Sequence, residues 1–145
     1  MRIEKLINLS TAESCTGGAI AKKIVAKSGA SAYFKGGIVA YSNQAKEEIL
    51  GVDSNLLKKY GAVSRQVVLA MAEGASKIFN TEYAVSTSGI AGPLGATKNK
   101  PVGLVWIGIK TPQKLMAKKF IFKGTRSQVI KQATDTALKL LEEIS

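Results

Sequence analysis

The chain has 145 residues, 46% of them hydrophobic and 21% charged, and its 21 Lys+Arg against 10 Asp+Glu leave a formal charge of +11. That size suits one globular domain, residues 1–145, whose folding removes roughly 68% of the unfolded surface from water without disulfide or metal staples. Histidine is absent and Cys15 is the single cysteine. These two facts exclude Ser-His-Asp and Cys-His pairs, His-based metal sites, internal disulfides and thiolate clusters.

No stretch approaches the ~20 uninterrupted apolar residues of a membrane helix, and the opening MRIEKLINLS lacks a signal peptide's long apolar run. The expectation is a soluble cytoplasmic protein with no membrane partner, no metal and no cofactor. The positive excess is spread along the chain, and Arg2, Arg65 and Arg126 are its only arginines. Such a charge reads as a solvated lysine surface that favours anionic ligands, without the stripe of a specific nucleic-acid binder.

In chain order, Leu6 to Ser10 reads as a short strand running into Thr11-Ala12-Glu13-Ser14-Cys15-Thr16-Gly17-Gly18. Ile20, Ile24 and Val25 then mark a helix ending near Gly29. Phe34 to Tyr41 reads as a strand, Ser42 or Asn43 caps a short helix through Leu50, and Asn55 to Tyr60 forms another that Gly61 stops. Ser64 caps a long helix, with Val67, Val68, Met71, Ala75 and Ile78 at helical spacing, ending at Asn80. Tyr83 to Thr87 has the short apolar character of a strand buried on both faces. After a glycine-rich loop, Val102 to Lys110 and Leu115 to Phe122 flank a four-residue turn as a hairpin, and a last helix runs from about Ser127 to Glu143. Strands alternating with helices and ending in a hairpin imply an α/β fold with a mixed sheet covered on both faces. Trp106 reads as a core side chain and Arg65 as solvated.

Two loops join apolar strands to small and hydroxylated residues. The first, residues 11–18, turns from strand into helix and can point backbone N–H groups at a phosphate or an oxyanion; it also reads as an ordinary capped helix start. The second, Ser88-Gly89-Ile90-Ala91-Gly92-Pro93-Leu94-Gly95-Ala96-Thr97, allows close approach of backbone to ligand, or is a long surface turn. Both follow strands, and ligands of open α/β sheets gather beyond the strands' carboxyl ends. Between them Tyr41-Ser42-Asn43-Gln44-Ala45-Lys46 lies at a strand-to-helix junction, from which Lys46 can aim its amine back at the same sheet edge.

TAESCTGG, SAYFKGGIVAYSNQAKEEILGV, GAVS, SGIAGP, KPVGLVWIG and FKGTRSQVIKQATDTAL, in this order, resemble the CinA C-terminal domain family over residues 9 to 141. The resemblance implies a three-layer α/β/α sandwich that hydrolyses the carboxamide of nicotinamide mononucleotide to nicotinate mononucleotide and ammonia, without a metal. It implies Ser14 as nucleophile, Tyr41 and Lys46 as the other catalytic groups, and Ser88 and Arg126 as substrate-pocket groups. The same motifs put Thr11, Glu13, Cys15, Thr16, Gly17, Gly18, Asn43, Gly89, Ala91 and Gly92 among the candidate substrate contacts.

Amide hydrolysis through an acyl-enzyme needs a nucleophile and a base, and without histidine an amine, a carboxylate or a phenolate is available for the second role, the resemblance implying the amine of Lys46. Lys46 must then be neutral. Lowering a lysine from ~10.4 to about 7–8 represents about 3–4 kcal/mol of disfavoured charge, so an active Lys46 has to be buried. Tyr41 would relay the proton, and N–H groups of the two loops would hold the oxyanion.

The sequence departs from the family pattern in three places. Few residues precede the first motif, so a covering helix would be missing and a second copy in a homo-oligomer would take its place. Ser88 replaces a threonine. Leu94 and Ala96 stand where the family has glycines. Three alternatives stay open: Cys15 as nucleophile, a nucleotide-binding module of the same fold without turnover, and a basic DNA-associated protein.

Overall fold

The computed structural model describes residues 2–6 and 8–145. Strands β1 (Leu9–Glu13), β2 (Phe34–Val39), β3 (Tyr83–Gly89), β4 (Leu104–Lys110) and β5 (Leu115–Ile121) form one sheet in the order β2-β1-β3-β4-β5. β2, β1 and β3 run parallel, and β4 and β5 are each antiparallel to the strand before them. Helices α1 (Ala19–Val25), α2 (Asn43–Glu48), α3 (Ser54–Tyr60), α4 (Arg65–Phe79) and α5 (Arg126–Ile144) complete the domain.

The strands' two-residue period feeds two cores. Leu9, Val85, Val105, Ile107 and Ile109 meet Ile20 and Ile24 of α1 and Val129, Ala133, Ala137 and Leu141 of α5. On the opposite side Ala12 and Ala84 meet Val67, Met71, Ala72 and Ala75 of α4, with Leu50, Val52 and Leu57 at its flank. The result is a mixed sheet between two helical layers, the α/β architecture expected. Ile3 and Leu6, beside a 3₁₀ turn at Ile3–Lys5, are buried in the first of these cores.

Capping side chains set the helix starts. Ser42 accepts from Ala45 N–H, Ser64 from Val67 N–H, and Thr125 with Gln128 forms a reciprocal capping box at α5. α3 starts at Ser54, one residue before the expected Asn55, and is capped by Asp53, which accepts from Asn55 N–H. Helix ends differ slightly from expectation: α1 stops at Val25 and α2 at Glu48, and a 3₁₀ turn occupies Ala30–Ala32.

The first strand is the main correction. Leu6 to Ser10 was expected, Ile7 lies outside the described residues, and the strand runs from Leu9 to Glu13. All five of its residues are buried, so Ser10, Thr11 and Glu13 are strand residues. Apolar content marks the wrong segment here because polar side chains in a central strand can bond within the protein, as Ser10 Oγ does with Thr81 Oγ1 at 2.7 Å. Likewise β3 continues through Ser88 and Gly89, which pair with Trp106 and Val105.

Candidate active site

β1 and β3 end side by side, and the chain leaving each lines one cavity of about 270 Å³. Ser14 is the first residue beyond β1. Its N–H donates to Thr87 O at 3.0 Å, which continues the parallel ladder by one bond and fixes the side chain at the strand's mouth. Gly18, in a left-handed conformation at φ 101°, turns the chain into α1.

The opposite wall comes from α2. Ser42 caps this helix, and Lys46 sits one turn in, where a helical side chain leans back toward the N-terminus. Lys46 is the helix's one buried residue, 2% exposed. Its Nζ lies 3.1 Å from Ser14 Oγ. Burial holds the amine below its ordinary value of 10.5, because desolvation penalises the ammonium form. The arrangement can move a proton directly between the serine and the amine, with no bridging side chain.

Tyr41 lies elsewhere in the same cavity. Its ring is exposed and its hydroxyl accepts from Arg126 Nη2 at 2.8 Å, while Arg126 Nη1 donates to Gly92 O at 2.8 Å. These bonds fix the Arg126 guanidinium at the rim. Asn43 also lines the cavity, as do Ser88, Gly89 and Ala91. Ser88 Oγ donates to Ala62 O at 2.7 Å, tying the end of β3 to the α3–α4 connection.

Cys15 lines the cavity as well, yet burial pushes its thiol up to about 12 despite the Thr87 hydroxyl and its own backbone N–H. At neutral pH it is a thiol, which removes the activated thiolate that the Cys15 alternative requires.

Thr11, Glu13, Thr16, Gly17, Gly18 and Gly92 are not on the cavity wall. Thr11 is buried within β1, its hydroxyl against Gly37. The Glu13 carboxylate, 1% exposed, accepts from Thr16 Oγ1 at 2.6 Å, Ile20 N–H at 2.9 Å and Ala21 N–H at 3.0 Å. Thr16 has spent its one proton on Glu13, so the 2.8 Å contact between Thr16 and Thr87 hydroxyls has Thr87 as donor. Glu13 and Thr16 therefore anchor α1 to the sheet. Gly17 N–H is taken by Ser14 O, and Gly92 acts through its carbonyl on Arg126.

Ala62, Val63, Ile90, Leu94 and Gly95 complete the wall. Ile90, Leu94 and Gly95 belong to the second glycine loop that the sequence marked, Leu94 also as a departure, whereas Ala62 and Val63 were not singled out, although they fall in the GAVS motif. No cluster of acidic, cysteine or histidine side chains able to hold a metal occurs among the described residues, and no helix among them is long and apolar enough to cross a membrane.

The family model for the CinA C-terminal domain matches residues 2–145. The chain belongs to the CinA C-terminal domain family. It is 49% identical over 139 residues to a CinA-like protein of Endomicrobium trichonymphae, covering 96% of this chain and 32% of that protein. A CinA-like protein of Thermosipho melanesiensis is 48% identical over 139 residues, covering 94% and 35%. The chain thus spans about a third of the length of the curated relatives it matches. Among solved structures, the competence/damage inducible protein CihA from Agrobacterium tumefaciens superposes with a TM-score of 0.93 at 38% identity, covering 97% of this chain and 87% of that one. The competence damage-inducible protein A from Klebsiella pneumoniae gives 0.93 at 33% identity, covering 97% and 88%. The fold is that of this superfamily.

Proposed function

We propose that this CinA-family domain is an amidohydrolase that converts nicotinamide mononucleotide to nicotinate mononucleotide and ammonia, with Ser14 as nucleophile and Lys46 as base. The observation that carries the reading is the 3.1 Å approach of a nearly solvent-free amine to Ser14 Oγ. A neutral amine there accepts the serine proton as Oγ attacks the carboxamide carbon. The resulting ammonium returns the proton to the departing nitrogen, so that the C–N bond breaks and ammonia leaves an acyl-serine. Water then adds to the acyl carbon and gives a proton to the same amine; as the acyl–Oγ bond breaks, the ammonium returns that proton to Ser14 Oγ, and the released acid ionises to the carboxylate.

Cys15 N–H, next to the nucleophile, and Ala91 N–H, on the facing loop, are the oxyanion donors in this reading. Neither is used in a backbone hydrogen bond among the described residues, whereas those of Ser14, Gly17 and Ile90 are. Arg126, held by Gly92 and Tyr41, offers a fixed charge to the substrate's phosphate. Because Lys46 reaches Ser14 directly, Tyr41 orients Arg126 and is not needed as a proton relay.

The test is ammonia release from nicotinamide mononucleotide, nicotinamide and nicotinamide riboside. Turnover of the mononucleotide should exceed that of the other two, and Ser14→Ala and Lys46→Met should abolish it while circular dichroism stays native. Near-normal turnover in either variant refutes the assignment. Calorimetric binding of the mononucleotide without ammonia release would turn the reading to a binding module.

A further inference from the structure

A second cleft, of about 420 Å³, opens on the α4 side of the β4–β5 hairpin and meets the reaction cavity at Val63, which lines both. Its origin is a mismatch in length between helix and hairpin. Gly108 lets α4 lie close on β4, since a Cβ there would come within 2.8 Å of Val68 O, and Ser86 Oγ bonds the same carbonyl at 2.6 Å. The helix begins at Arg65, so the hairpin pairs Trp106–Lys119 and Leu104–Ile121 extend beyond its cover.

This placement leaves Trp106 half-buried instead of enclosed in the core, with an indole lining the cleft. Lys119 Nζ stands 6.0 Å from the ring centroid. Arg65 and Lys100 add two further cations, and no carboxylate side chain lines the cleft. Lys100 is fixed by a 2.6 Å bond from its Nζ to Tyr60 O, whereas Arg65 and Lys119 are exposed and face solvent. A flat aromatic surface flanked by charges of one sign suits a ligand with a planar ring and an anionic group.

We propose that this cleft is a second ligand site, which takes a nucleoside phosphate with its base against Trp106 and its phosphate between Arg65 and Lys119. It goes beyond the amidase reading, since none of these three residues touches the Ser14–Lys46 cavity.

Trp106 is the only tryptophan in the chain, so its fluorescence reports on the cleft directly. Titration with adenosine 5′-monophosphate should quench it saturably. Adenosine and inorganic phosphate should each bind at least about tenfold more weakly, because each lacks one half of the recognition. Arg65→Ala and Lys119→Ala should each weaken the monophosphate about tenfold or more, the scale of a charge-assisted hydrogen bond. Arg126→Ala and Ser14→Ala should leave it unchanged. Absence of saturable quenching at millimolar concentration overturns the proposal. So does quenching that Arg126→Ala weakens and Arg65→Ala does not, which would locate the ligand in the reaction cavity. Loss of deamidation in Ser14→Ala with monophosphate binding intact separates this proposal's fate from that of the amidase.

Discussion

Glu13 and Lys46, an acidic and a basic side chain, flank the same serine turn and are about equally cut off from water, at 1% and 2% exposure. Their surroundings differ in one respect. The Glu13 carboxylate accepts three hydrogen bonds from α1 and the turn before it. The Lys46 amine makes one, to Ser14 Oγ. A buried carboxylate that accepts three hydrogen bonds stabilises the fold around it, whereas burial with a single hydroxyl partner shifts an amine toward its neutral form. The first has the character of a strut and the second of a reagent.

The largest test of this contrast is catalytic. On the proposed mechanism Ser14→Ala lowers kcat about 10⁴-fold or more, and Lys46→Met about 10²- to 10⁴-fold, the range for removing a nucleophile and a general base. Ammonia release under saturating nicotinamide mononucleotide measures both. Glu13→Gln should reverse the pattern. An amide presents one acceptor and an N–H₂ group where three donors converge, so the variant should lose about 2–3 kcal/mol of stability, or about 5–10 °C in Tm, by the cost of stranding buried donors. Its remaining folded fraction should keep most of its kcat. If Glu13→Gln abolished turnover at unchanged Tm, the strut interpretation would be wrong.

The two residues were not equally readable from sequence. The absence of histidine left an amine, a carboxylate or a phenolate as base, the family motif singled out Lys46, and Ser42 four residues before it placed that amine one turn into a capped helix. Those are local facts. Glu13 looked like a loop contact because its partners, Thr16 and the N–H groups of Ile20 and Ala21, come together only when α1 folds back over β1. Tyr41 was read as a relay from the family motif, but the position of Arg126, 85 residues later, decides its hydrogen bond. Trp106 was read as core from strand periodicity, which does not show that α4 starts too late to cover it. The chain order of the elements and the helical cover on both sheet faces were accessible from apolar spacing and caps, whereas the strand order β2-β1-β3-β4-β5 and the close approaches between distant segments were not.

The pH dependence sharpens the contrast further. Lys46 is depressed below 10.5 by burial. Between its folded value and 10.5 the unfolded chain binds more protons than the folded one, so stability rises with pH across that window; below it the full cost of the buried charge is present. Lys46→Met should lack this dependence and be at least as stable as the parent at neutral pH. Activity needs the neutral amine, so the kcat profile should rise with pH through the folded value and level off before 10.5. Urea midpoints and initial rates from pH 6 to 10 measure the two halves independently. A stability that falls with pH over this range would mean that the amine is charged and paired in the native state.

The smallest effect is expected at Cys15, and it decides whether Lys46 has a hidden partner. A thiolate beside the amine would stabilise the ammonium form and raise the amine, as the Coulombic influence of Cys15 on Lys46 indicates. Burial, however, pushes the thiol itself up to about 12. Throughout the window in which Lys46 loses its proton the sulfur is therefore uncharged and cannot act as a counter-ion. Cys15→Ala should leave the rising limb of the kcat profile where it was and change its plateau by no more than about threefold, through the small loss of packing at the cavity wall. A limb displaced to lower pH in that variant would reveal a thiolate–ammonium pair, and Lys46 would then be a satisfied buried group as Glu13 is, though through a charged partner where Glu13 has neutral donors.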